Sequence, residues 1–172
     1  MHANPHASTA SAATAAAVLP AAAVAADYLV YRTAGRQYGA ALRNVHELRR
    51  FDEVCAPPAG APRDAVIGTI SVQGAAVPVI DLAAMLGLAP ADHASDMEVV
   101  VLACGAHLIA IAAECVIDVV TLAPEQMRLA PAIRAEDGAH YLLGFGRLGQ
   151  RVLGLLDIRK LAADLHPARL AA

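Results

Sequence analysis

The strongest constraint on this chain is an internal echo. GTISVQGAAVPVIDL, beginning at Gly68, returns as GFGRLGQRVLGLLDI, beginning at Gly144. Laid over one another, Gly68 meets Gly144, Val72 meets Leu148, and Val79-Ile80-Asp81-Leu82 meets Leu155-Leu156-Asp157-Ile158. A second pair, GRQYGAALRNVHEL from Gly35 and GAHLIAIAAECVIDVV from Gly105, echoes in the same way. Each half reads as strand pairs, then a glycine hairpin, a strand, an aspartate and a short helix. A small unit repeated twice has too little interior to be stable alone. The expected fold is therefore mainly β: two small antiparallel β lobes sharing an apolar interface, which also shapes a groove between them.

The rest of the chain fits that frame. YLVYRTA reads as a strand, Gly35-Arg36 as a turn, and VHELRRF as a half-exposed strand with Val45 and Glu47 on one side and Leu48 on the other. APPAGAPRD is a Pro/Gly connector that cannot join a central ladder. LAPADHASD reads as a loop between lobes, which places the lobes at about residues 27–90 and 97–165 of a domain spanning 27–172. Residues 1–26 are an alanine-rich, low-complexity tail. It carries no Lys or Arg before Arg32, and Pro20 interrupts its apolar part, so it lacks the positive start of an export signal. Val99–Val120 is apolar but broken by Gly105, His107, Glu114 and Asp118, so it reads as strand, turn, strand and not as a membrane span.

Composition narrows the function. With net charge −3 and 3% aromatics, the chain has neither the basic footprint nor the stacking platforms of a nucleic-acid binder. Cys55, Cys104 and Cys115 form no C-x-x-C pair, so no metal site is expected, and an odd count without a framework fits a reducing cytoplasm. GFGRLG matches G-x-G-x-x-G, but strand-like QRVLGLLD follows it where a phosphate site needs a helix. It reads as a glycine-rich hairpin. Asp81 and Asp157 stand at equivalent places in the two repeats. Two such carboxylates would suit a proton-sharing hydrolase. Each also ends a strand just before a helical run, where a helix cap is the stronger reading. Glu47, beside Val45 on an exposed strand, marks either a partner-binding face or a surface charge paired with Arg49 or Arg50. No catalytic group and no cofactor is expected.

Taken in order, GRQYGAALRNVHEL, AGAPRDAVIGTI, GAAVPVIDLAAMLGL and YLLGFGRLGQRVLGLLDIRKL resemble the CheW-like family of chemotaxis coupling modules, from about Asp27 to Leu165. The resemblance implies two five-stranded, SH3-like β-barrel lobes around a shared core. It implies a non-enzymatic cytoplasmic adaptor. Its partners would be the regulatory domain of a CheA-type histidine kinase and the signalling tip of a methyl-accepting chemoreceptor. The family's V-x-E pattern falls on Val45 and Glu47, its strand-opening glycine on Gly68 and its glycine turn on Gly74. The family usually has arginine just before that turn, expected to pair with the glutamate; here the residue is Gln73. Glu114 stands where the family commonly has aspartate. The Gln73 departure keeps open an adaptor of a type IV pilus twitching system, and a small-molecule sensor binding between the lobes remains a reading of another class.

Overall fold

Runs of β-branched and aliphatic residues punctuated by glycine become strands throughout the computed structural model, which describes residues 24–57, 65–89, 92–130 and 139–165. The first strand, β1 (Ala26–Thr33), turns into β2 (Arg36–Ala41) through Ala34 and Gly35, with φ of 49° and 68°. The turn lies one residue earlier than Gly35-Arg36. A two-residue turn with both residues left-handed matches the twist of the flanking strands, and Arg36 is thereby freed to start β2. A single 3-10 turn, Leu42–Asn44, leads to β3 (Val45–Arg50). Then come β4 (Val66–Val72), β5 (Ala75–Asp81) and the short helix α1 (Leu82–Met85). The strands β6 (Glu98–Cys104) and β7 (His107–Ala113) form the hairpin expected around Gly105-Ala106. They are followed by β8 (Cys115–Leu122), β9 (Met127–Leu129), β10 (Leu142–Leu148), β11 (Arg151–Leu156) and the helix α2 (Ile158–Asp164). GFGRLG lies in β10 and the turn after it, as a hairpin.

Two sheets result, in the orders β8-β1-β2-β11-β10-β9 and β3-β6-β7-β5-β4. The first carries six strands where five were expected, because Met127–Leu129 adds a short edge strand on β10. Its counterpart in the second sheet is reduced to a single bridge between Cys55 and Thr69.

The sheets do not follow the division at 27–90 and 97–165. The hairpin β1–β2 lies beside β11, in parallel register with Tyr38 opposite Gly154, while β6–β7 lies beside β5, with Val79 opposite Ala110. Each repeat has thus given its first hairpin to the other repeat's sheet. The echo in the sequence is real, but the lobes it builds are 45–113 and 26–41 with 115–156. The loop LAPADHASD consequently connects two parts of one sheet and does not cross between lobes.

This exchange explains the near-continuous apolar runs. Tyr28 and Val30 point into a cluster with Val120, Leu122, Leu153 and Leu155, inside the first sheet. Val99 and Val101 do the same with Ile70, Val77 and Val79 in the second. The alternate residues, among them Leu29, Tyr31, Val100, Leu102, Ile109 and Ile111, meet in a third cluster together with Leu156, Ile158 and Leu161. A strand buried on both faces must be apolar at both phases. The exchanged hairpins are the strands that carry the shared interface.

The two aspartates are built into the helix starts. Asp81 Oδ1 accepts from the backbone N–H of Ala83 at 2.8 Å and Ala84 at 3.4 Å, and Asp157 Oδ1 accepts from those of Arg159 at 3.1 Å and Lys160 at 3.3 Å. Asp81 is buried and also holds His93 Nε2 at 3.3 Å, which pins the loop after α1 to the sheet. Stacking of His93 against Phe51, with ring centroids 5.7 Å apart, adds to that anchor. Asp157→Ala is expected to lower stability by about 1 kcal/mol, the usual value of an N-cap, measured by urea unfolding. A loss indistinguishable from zero would mean that the cap does not hold α2.

Candidate protein-binding face

Where the chain passes between sheets, it leaves two strands with one neighbour each. β3 ends the second sheet and β8 ends the first. Both carry apolar residues at the solvent-facing phase. Leu48 on β3 is 44% exposed and Val119 on β8 is 52% exposed, while Leu42, in the crossing turn, is 37% exposed. On the same two strands, Val45 and Val116 are partly buried and pack against the shared cluster. An unpaired edge flanked by exposed aliphatics is a surface suited to another protein, because it offers apolar area and backbone groups together.

Glu47 lies next to Leu48 on β3, but its side chain is on the alternate side of the strand. Between Val45 and Glu47 the register with β6 slips, so that Val45 faces Leu102 and Glu47 faces Val101. The half-buried Glu47 carboxylate accepts from Arg49 Nη1 at 3.2 Å. Arg49 also donates from Nε to Glu53 Oε2 at 2.9 Å and closes an ion pair with it. The hydrogen bonds from Arg49 hold the Glu53 carboxyl below its ordinary range. Arg50 pairs separately with Asp52 at 3.1 Å. Of the two readings, the structure shows the charge pair: Glu47 is paired with Arg49.

Other residues singled out by the sequence lie elsewhere. Gln73 and Gly74 form the exposed tip of the β4–β5 hairpin, with φ of 49° and 83°. β4 and β5 lie at the other end of the strand order from β3. No hydrogen bond joins Gln73 to Glu47 among the described residues; Arg49 supplies the donor that a family arginine was expected to supply. Gly68 is buried. A Cβ there would come within 2.5 Å of the Cys55 carbonyl oxygen and collide with Val54. It offers no surface to a partner; its lack of a side chain lets Cys55 cross over β4. Glu114, at the second crossing, accepts from the Gly35 N–H at 3.0 Å and so ties the crossing to the β1–β2 turn.

Leu42 and Val119 are the members of the face that sequence reading missed. The signal was present as an aliphatic residue on the polar phase of an alternating strand, but β8 in particular reads as uniformly apolar. Chemistry finds little support. Asp81 and Asp157 each serve the amides of their own helix, where a shared-proton hydrolase needs them to serve a common site. Among the described residues, no group of three His, Cys, Asp or Glu side chains is placed to hold a metal ion. Nor is any helix among them long and apolar enough to cross a membrane.

Comparison with known proteins adds the relationships. A family model, the CheW-like domain, matches residues 27–166. The chain is 33% identical over 141 residues to the chemotaxis protein CheW of Klebsiella aerogenes, covering 82% of this chain and 84% of that one. A probable chemotaxis protein CheW of Rhizobium etli is 23% identical over 138 residues, covering 80% and 88%. Among solved structures, the scaffolding protein TtCheW of Thermoanaerobacter tengcongensis superposes with a TM-score of 0.67 at 18% identity, over 78% of this chain and 86% of that one. That likeness establishes the two-lobed, SH3-like fold.

Proposed function

This chain belongs to the CheW-like family, and on that premise we propose that it is a non-catalytic coupling protein that holds a chemoreceptor signalling tip against the regulatory domain of a CheA-type histidine kinase. The observation that carries the reading is the pair of edge strands, β3 and β8, with Leu42, Leu48 and Val119 exposed and the Arg49-paired Glu47 at the β3 edge. A helical receptor tip lays its apolar side on those aliphatics and its polar flank on Glu47 and Arg49. The kinase docks elsewhere on the lobes, and the β4–β5 tip at Gln73 and Gly74 is part of a partner contact. Gly68 acts at a distance, by keeping that hairpin's base closely packed. The protein works in the cytoplasm, where receptor tips and kinase meet. Weak individual contacts suffice, because neighbouring contacts in an assembly raise the effective concentration.

A pull-down with a receptor-tip fragment and, separately, a CheA-type regulatory domain tests the reading; failure to bind either one overturns it. Gln73→Arg gives a finer test. The residue is exposed at a turn, so stability should change by no more than about 0.5 kcal/mol. The added guanidinium presents a charged fork that glutamine lacks, and receptor-tip affinity should change several-fold by titration calorimetry. Unchanged affinity would place Gln73 outside the contact. The same replacement tests why this chain departs from the usual arginine. If a pilus-associated receptor tip binds the wild-type chain better than a flagellar one does, and Gln73→Arg reverses that order, the chain serves a twitching system.

A further inference from the structure

Between the first sheet and the segment after α1 lies an open groove of about 620 Å³, lined by no residue of β3 or β8. Its floor is Tyr38 lying against Gly154, where an added Cβ would come within 2.8 Å of the tyrosine ring. Its walls are Phe145 and Val152, 38% and 60% exposed, facing Leu86 and Leu88 from the segment after α1. Among the described residues, the lining includes no acidic side chain, although the chain as a whole carries net charge −3. It does include two arginines. Arg151 is held in place by a two-pronged pair with Asp118, at 3.0 and 3.3 Å, and by Gln37 at 3.0 Å. Arg36, exposed at the rim, has no carboxylate partner among the described residues.

We propose that this groove is a second docking site, distinct from the β3–β8 face, which takes an acidic amphipathic peptide segment of a partner protein. Large apolar side chains of that segment pack on Phe145, Val152 and Leu88, and a carboxylate pairs with Arg36. The charge pattern selects this occupant: apolar walls fit an apolar stripe, and the unmatched charge at the described rim is positive. Two arginines beside apolar walls are too few cations to track a nucleic-acid backbone. The groove takes its lining from β2, β10, β11, their flanking turns and the segment after α1, so it shares no residue with β3 or β8.

The test is selection of a displayed random-peptide library on the full chain, followed by fluorescence anisotropy with the enriched peptides. The expected peptides combine Asp or Glu with Leu, Ile or Phe. Arg36→Glu and Val152→Asp should each weaken their binding at least tenfold, and Arg36→Glu should turn the preference toward lysine-bearing peptides. Both replaced residues are exposed, so circular dichroism should show the fold unchanged, and binding of a receptor tip should be unaffected. Enriched peptides that ignore both replacements would overturn the proposal, as would basic peptides binding the wild-type chain equally well. So would dodecanoate binding at Arg36 and Val152 with no peptide doing so, which would make the groove a small-molecule site.

Discussion

Gly144→Ala is expected to destabilise the chain by about 3 kcal/mol, the upper end of the cost of overpacking a tightly fitted site. For a domain of this size that corresponds to a fall in melting temperature of about 6–12 °C. The reason is local and steric. At Gly144 the backbone of β9 passes directly over the α-carbon: an added Cβ would clash with the Arg128 carbonyl oxygen and stand 2.9 Å from the Arg128 carbonyl carbon and 3.1 Å from Leu129 Cα. All three are main-chain atoms, so no rotamer change relieves the contact. Relief requires β9 to leave β10, with loss of the pairing between Gly144 and Leu129 and of the Ala130 N–H bond to the Leu143 carbonyl. Gly68→Ala should behave alike in the other lobe, where Cys55 takes the place of β9. Gly149→Ala is the control. Its φ is +61° but no atom lies within 4 Å of an added methyl, so only the left-handed backbone cost of about 1 kcal/mol applies. Differential scanning calorimetry checks the set. Equal losses at Gly144 and Gly149 would show that close approach is not what these repeated glycines provide.

Leu48→Asp combined with Val119→Asp is expected to leave the fold intact and to weaken receptor-tip binding by about a hundredfold. Both side chains are about half exposed, so removing them takes little from the core. In a complex they would be the apolar centre of the contact. A carboxylate there must be desolvated without a partner, at a cost of about 1–3 kcal/mol for each site. Each single variant should lose about tenfold, and the product should be near the double loss if the two sites contact the partner independently. Titration of a receptor-tip fragment into each variant, with urea unfolding as the check on folding, measures both quantities. Retained affinity in the double variant would move the docking face away from β3 and β8.

Much of the fold was legible because glycine, aspartate and aliphatic alternation carry local instructions. The hairpins at Gly105-Ala106 and within GFGRLG, the strand over VHELRRF and the short helices after Asp81 and Asp157 all follow from such signals. The pairing of distant strands does not. Nothing local distinguishes β1–β2 packing on its own repeat from packing on the other, since both repeats offer similar apolar faces. The exchange is settled by the parallel contacts of β2 with β11 and of β5 with β7, and by the shared cluster they enclose. The pairing of Glu47 with Arg49 was among the readings open in the sequence, while a bond from Gln73 was not realised, because the hairpin tip and β3 lie at opposite ends of the strand order. Leu42 and Val119 escaped notice because an aliphatic run such as VIDVVTL does not reveal which of its residues lacks a neighbour. Only the ending of a sheet at β8 does.

A coupling protein must hold two other proteins at the same time. Size-exclusion chromatography with light scattering on the purified chain, a CheA-type regulatory domain and a chemoreceptor-tip fragment reads this out. The expected result is a ternary peak containing all three components, formed by the wild-type chain and lost to the receptor fragment in the Leu48→Asp, Val119→Asp variant. A chain that elutes alone in the presence of both partners would contradict it.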